Sequence, residues 1–142
     1  MRIQDVISGK SSQDVVTVSP DATVRDLLGL LAEHNIGALV VSSDGAEVTG
    51  IVSERDIVRR LRDGDILEER VSTIMTTSVH TADPESQLDD LMALMTEHRI
   101  RHVPVVSGGS LTGIISIGDV VKHRISQLEF ERDQLDSYVH QQ

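Results

Sequence analysis

Two short stretches hold the residue types best suited to gripping a polar ligand. Ser116-Ile117-Gly118-Asp119 follows the apolar Ile114 and Ile115, and Ser53-Glu54-Arg55-Asp56 follows Ile51 and Val52 in the same way. Each sets a hydroxyl and a carboxylate three residues apart where an apolar run gives way to a helix-like one. A serine there caps the helix, and the backbone N–H groups of the first turn favour an anion nearby. The carboxylate can accept two hydrogen bonds from a vicinal diol such as a ribose. The plain alternative is a helix cap and nothing more, because Ser and Asp are preferred capping residues. The recurrence of the design within 142 residues favours a shared binding role.

The elements that must position these groups read as two copies of one plan. Around the second motif, Ile100 to Val106 is a β-branched run suited to a buried strand, Gly108-Gly109 is a hairpin turn signal, and a second strand leads to Ser116. Ile36 to Val58 repeats the plan, with Asp44-Gly45 as its turn. Upstream, Val24, Leu27, Leu28 and Leu31 match Leu88, Leu91, Met92 and Met95, both at the spacing of one apolar helix face. Such a stripe is core rather than a cofactor box. The openings also match: Arg2 to Ser8 with Arg70 to Thr76, and Pro20-Asp21 with Pro84-Glu85. The first copy carries four extra polar, Gly-containing residues from Gly9 to Ser12, which read as a loop. Each half therefore reads β-α-β-β-α, and the whole is a two-fold pseudo-symmetric α+β unit. The boundaries fall at 1–68, 69–125 and a helical tail, 126–142. In the tail region Val121, Ile125, Leu128, Leu135 and Val139 form a short heptad seam. It fits a helix lying back on its own domain or one pairing with a second subunit.

Composition narrows the function. The formal net charge is −10, aromatic residues make up 1% and cysteine is absent. Acidity opposes non-specific binding to nucleic acid or anionic membrane. Scarce aromatics argue against base-stacking modules. Without cysteine there is no disulfide or thiolate metal site. The N-terminus lacks a signal-like apolar run, and no stretch approaches membrane-spanning length, so the cytoplasm is the default compartment. His98 and His102 have a helical zinc spacing, but His102 belongs to a strand and no third ligand is evident, so no metal is expected. Neither serine has a His and an acid arranged as a nucleophilic triad, and nothing supports catalysis or a catalytic cofactor.

With these residues in place, the chain resembles a tandem pair of cystathionine-β-synthase (CBS) domains of the stand-alone bacterial type. The resemblance rests on Gly50 to Ile57 and Gly113 to Val120, on Ile100 to Val106, and on Val71 to Thr76. It implies two motifs packed as one module with two related clefts. Those clefts would bind an adenosine-containing ligand such as AMP, ADP, ATP, NAD or S-adenosylmethionine, in a regulatory protein that forms homodimers. Carried over, Asp56 and Asp119 would hold ribose, with Ser53 and Ser116 near the ribose-phosphate. Ile100, Arg101 and His102 would touch base and phosphate, and Ile51 and Ile114 would line the base pocket. Thr76, and less clearly Ser8, would place a hydroxyl in the cleft of the opposite repeat. The first repeat has Gly37 and Ala38 where the second has Arg101 and His102, so a phosphorylated ligand is expected in the Asp119 cleft, with Arg101 on its phosphate. The competing reading is a structural or interaction dimer whose clefts are vestigial.

Overall fold

The computed structural model describes residues 1–10 and 15–140. Their order is α1 (Ile3–Ser8), β1 (Thr17–Val18), α2 (Val24–His34), β2 (Ala38–Val41), β3 (Gly50–Ser53), α3 (Glu54–Leu61), α4 (Val71–Ile74), α5 (Leu88–His98), β4 (His102–Ser107), β5 (Ser110–Ser116) and α6 (Ile117–His140). In the first half β1 runs parallel to β2, which pairs antiparallel with β3. In the second, β4 and β5 form an antiparallel pair, and the expected leading strand is a single parallel bridge between Ala82 and Val105. The α+β plan expected from sequence is therefore present, and each half is preceded by a short helix, α1 or α4.

Local chemistry explains the elements. Thr23 caps α2 in a capping box with Asp26. The helices α2 and α5 bury Val24, Leu27 and Leu31, and Leu88, Leu91 and Met95. The fourth member of the α2 stripe, Leu28, remains 39% exposed, so that apolar face is narrower than its sequence spacing suggests. Both helices end on a left-handed residue, Asn35 and Arg99. Gly108 and Gly109 both have positive φ, which a two-residue I′ hairpin requires. The corresponding link in the first half is longer, from Ser42 to Thr49, with Asp44 Oδ1 accepting from the N–H groups of Ala46 and Glu47, 2.9 Å each.

The two apolar cores do not coincide with the two sequence repeats. Ile3, Val6 and Ile7 of α1 pack with Leu88, Leu91, Met95, Val103, Val105 and Ile115 of the second half. Val71 and Ile74 of α4 pack with Val24, Leu27, Leu39 and Val52 of the first. The reason lies in the first-turn N–H groups, which a helix cannot satisfy itself. Ile3 and Gln4 donate to the carbonyls of Ser86 and Pro84, while Val71 and Ser72 donate to those of Ala22 and Pro20, all at 2.8–3.0 Å. The matched turns at Pro20 and Pro84 thus each receive the leading helix of the other repeat, and this exchange ties the halves together.

Candidate ligand cleft

The exchange carries the chain after α4 across the first sheet. Ile51 and Thr76 trade backbone hydrogen bonds, 2.9 Å and 2.8 Å. Gly50 makes the approach possible: a Cβ there would stand 2.8 Å from the Thr76 carbonyl oxygen and 2.9 Å from Met75 Sδ. Beyond this bridge lies a cleft of about 290 Å³. Ile51, Ser53 and Asp56 reach it from the first half, and Thr76, Ile100, Arg101 and His102 from the second.

At its floor, Ser53 and Asp56 form a capping box. Asp56 Oδ2 accepts from the Ser53 N–H at 2.8 Å and from its hydroxyl at 3.1 Å. Oδ1 takes no partner among the described residues, so the carboxylate caps α3 and still offers an acceptor to a ligand. Three guanidiniums, Arg55, Arg99 and Arg101, stand around the same space. None of them is in an ion pair among the described residues. Burial pushes the His102 imidazole below its ordinary value, against the pull of the Asp119 carboxylate and with help from Arg101. It is therefore a neutral imidazole at pH 7.

Seven of the ten expected site residues meet here, but not in the expected pairing. Arg101 and His102 line the cleft with Asp56, whereas sequence matching had put them with Asp119. The correction follows from the packing: the start of β4 faces the N-terminus of α3, so that a Cβ on Gly37 would stand 3.7 Å from His102 Cε1 and 3.8 Å from Glu54 Oε2. Gly37 and Ala38, expected to deprive the Asp56 cleft of a cation, simply form part of its wall. Ser78, Val79 and His80 also line it, and sequence reasoning missed them. Their only signal was nearness to Thr76. His80 stacks on His98, ring centroids 4.1 Å apart.

Ile114, Ser116 and Asp119 lie outside this cleft. Ser116 and Asp119 form the matching box of the second half, with Asp119 Oδ2 accepting the Ser116 N–H at 2.9 Å. Asp119 borders a smaller space of about 110 Å³ with Gly9, Lys10, Lys122 and His123. Lys10 Nζ stands 3.1 Å from Asp119 Oδ2 and donates to the Ile114 carbonyl at 2.8 Å. Burial alone would raise the Asp119 carboxyl, but the Ser116 N–H and the Lys10 ammonium outweigh it and hold the group below its ordinary value. Ser8 accepts from Gln4 Nε2 at 3.0 Å. No group of three or more His, Asp or Glu side chains suited to a metal occurs among the described residues. No helix of the described residues is long and apolar enough to cross a membrane.

A doubled strand-turn-strand-helix unit, tied together by exchanged leading helices beside a cleft of about 290 Å³, defines the class: a paired-motif module. The CBS domain family model matches twice, over residues 3–63 and 71–126. The chain belongs to the CBS domain family. It is 35% identical to the CBS domain-containing protein YhcV of Bacillus subtilis over 79% of this chain and 80% of that protein. It superposes on a CBS-domain containing protein from Agrobacterium tumefaciens with a TM-score of 0.81 and 44% identity, covering 87% of this chain and 99% of that one. The CBS domain pair of protein MJ0100, solved in complex with 5′-methylthioadenosine and S-adenosyl-L-methionine, shares the fold at a TM-score of 0.76 and 24% identity, covering 86% and 98%.

Proposed function

We propose that this chain is a regulatory module that binds a phosphorylated adenosine ligand in the Asp56 cleft and performs no chemistry on it. The observation that carries this reading is the convergence in one space of a carboxylate oxygen and three guanidiniums that have no ion-pair or hydrogen-bond partner among the described residues, with the apolar Ile51 and Ile100 and the Thr76 segment. Asp56 Oδ1 accepts from the ribose diol, Ile51 and Ile100 flank the base, and Arg101 with Arg55 or Arg99 meets phosphate. A volume of about 290 Å³ is close to the lower end of small-molecule sites, about 300–1,000 Å³, and suits one nucleotide. The MJ0100 pair is seen with adenosine ligands, and its likeness to this chain is one of fold. The choice among AMP, ADP, ATP, NAD and S-adenosylmethionine is argued from charge. Three guanidiniums against the two carboxylates of Glu54 and Asp56 leave the lining net positive, which favours phosphate over the sulfonium of S-adenosylmethionine. A ligand held by both halves at once favours the arrangement of the halves that it fits, and so reports its concentration to a downstream partner.

Titration calorimetry tests the reading. Wild type should bind AMP and ATP more tightly than adenosine. Arg101→Ala should weaken AMP roughly tenfold, by loss of a charged hydrogen bond, and leave adenosine unchanged. Absence of binding by every adenosine ligand would favour the vestigial-cleft dimer instead.

The module, residues 1–68 and 69–125, is completed by the tail 126–142, through which two copies pair. On α6, Ile125, Leu128, Leu135 and Val139 are 50–65% exposed. The helix thus leaves its apolar seam uncovered rather than laying it on its own domain. A heptad seam is self-complementary, so a second copy of the chain covers it.

A further inference from the structure

We propose that Lys10 is a tethered occupant of the second cleft, holding a latent adenosine site shut so that each chain binds one ligand. The inference rests on the reading of Asp56 and Asp119 as ribose-binding carboxylates. It starts from a break in the pseudo-symmetry. At the first cleft, the Ile51 carbonyl accepts the Thr76 backbone N–H at 2.8 Å. At the second, the Ile114 carbonyl accepts Lys10 Nζ, also at 2.8 Å. An ammonium on a four-carbon stem thus makes the bond that a backbone amide makes in the other half. From that anchor it reaches Asp119 Oδ2 at 3.1 Å, the carboxylate to which a ribose diol would have to donate.

Nothing equivalent reaches Asp56, whose only partner among the described residues is its own cap, Ser53. The space of about 110 Å³ beside Asp119 has Lys10 itself in its lining, with Gly9, Lys122 and His123. The sequence supplies the cause. Lys10 belongs to the four residues, Gly9 to Ser12, that the first repeat has and the second lacks. The insertion that reads as a neutral loop lengthening therefore delivers a cation to one cleft of two.

The contact is strong enough to matter. Both side chains are mostly shielded from solvent, with relative exposures of 28% and 24%, so the pair is less screened than a surface ion pair. A nucleoside entering this cleft finds Oδ2 already held by the Ser116 N–H and by Lys10, and must compete with the ammonium for the charge of the carboxylate. The affinity of the second cleft should fall by about ten- to a hundredfold relative to an unblocked one.

Titration of the full chain with AMP, comparing wild type, Lys10→Ala and Lys10→Ala/Asp119→Ala, tests the proposal. Wild type should bind one equivalent, Lys10→Ala two, and the double variant one again. Lys10→Met, which removes the donor but keeps the stem, serves the same comparison if the alanine variant does not fold. One equivalent in both wild type and Lys10→Ala would overturn the blocking role and leave the Asp56 site standing. Two equivalents of like affinity in wild type would overturn it as well. None in wild type but one in Lys10→Ala would support the blocking role and defeat the Asp56 reading. No binding by any of them would defeat both.

Discussion

Removing the Asp56 carboxylate should cost stability and affinity by separable amounts. Oδ2 holds the cap, accepting from Ser53 N–H at 2.8 Å and from its hydroxyl at 3.1 Å, while Oδ1 is left for the ligand. Alanine removes both oxygens. Loss of a helix cap costs about 1 kcal/mol. In a chain of this size that lowers Tm by roughly 2–4 °C. Loss of charged hydrogen bonds to the ribose costs about 1.5–3 kcal/mol, or roughly ten- to a hundredfold in Kd. Asparagine separates the two. It keeps one acceptor oxygen for the Ser53 N–H and replaces the other with an amide that can only donate. Asp56→Asn should therefore melt close to wild type without ligand and yet bind adenosine and AMP more weakly by a similar factor. Adenine, which has no ribose, should bind both proteins equally. Calorimetry with the three ligands, beside thermal unfolding of the free protein, makes the comparison. Wild-type adenosine affinity in Asp56→Asn would mean that the carboxylate is a helix cap and nothing else.

Three further outcomes follow from the geometry. Gly50→Ala forces a Cβ against the Thr76 carbonyl, 2.8 Å away, and should destabilise the fold by about 1–3 kcal/mol, read by urea unfolding; a neutral result would show that the bridge yields without cost. Because Asp119 is held below its ordinary value of 3.8, the unfolded chain binds more protons there, so the stabilisation is complete above that pH and is lost as pH falls through the folded value. Lys10→Ala removes one cause of the depression, so its destabilisation should be largest at neutral pH and shrink below 3.8; equal losses at both would exclude the ion pair as the cause. Truncation after Ser126 removes Leu128, Leu135 and Val139 from the exposed seam and should shift sedimentation from twice the chain mass toward the monomer; an unchanged dimer would assign the contact to the helices of the repeats.

The sequence by itself determined the repeated plan and the chemistry of its motifs. Ser53 with Asp56 and Ser116 with Asp119 could be read as helix starts because capping depends on neighbours within one turn. The helix stripes at Val24, Leu27 and Leu31, and at Leu88, Leu91 and Met95, could be read because burial on one face leaves a fixed period. Pairing between halves left no such trace. Whether Arg101 serves Asp56 or Asp119 depends on how β4 meets the N-terminus of α3, a relation between segments some 45 residues apart (101 against 56) that no local period encodes. The exchange of α1 and α4 between cores is of the same kind: Ile3 and Val71 look alike in sequence, and only the carbonyls of Ser86 and Ala22 decide which core each joins. Lys10 is the clearest case. As a residue in a polar insertion it predicts a solvated loop, because loops ordinarily run over the surface. Only the tertiary structure, by bringing β5 and the start of α6 beneath it, turns its ammonium onto the Ile114 carbonyl and Asp119, and so makes two nearly identical motifs unequal.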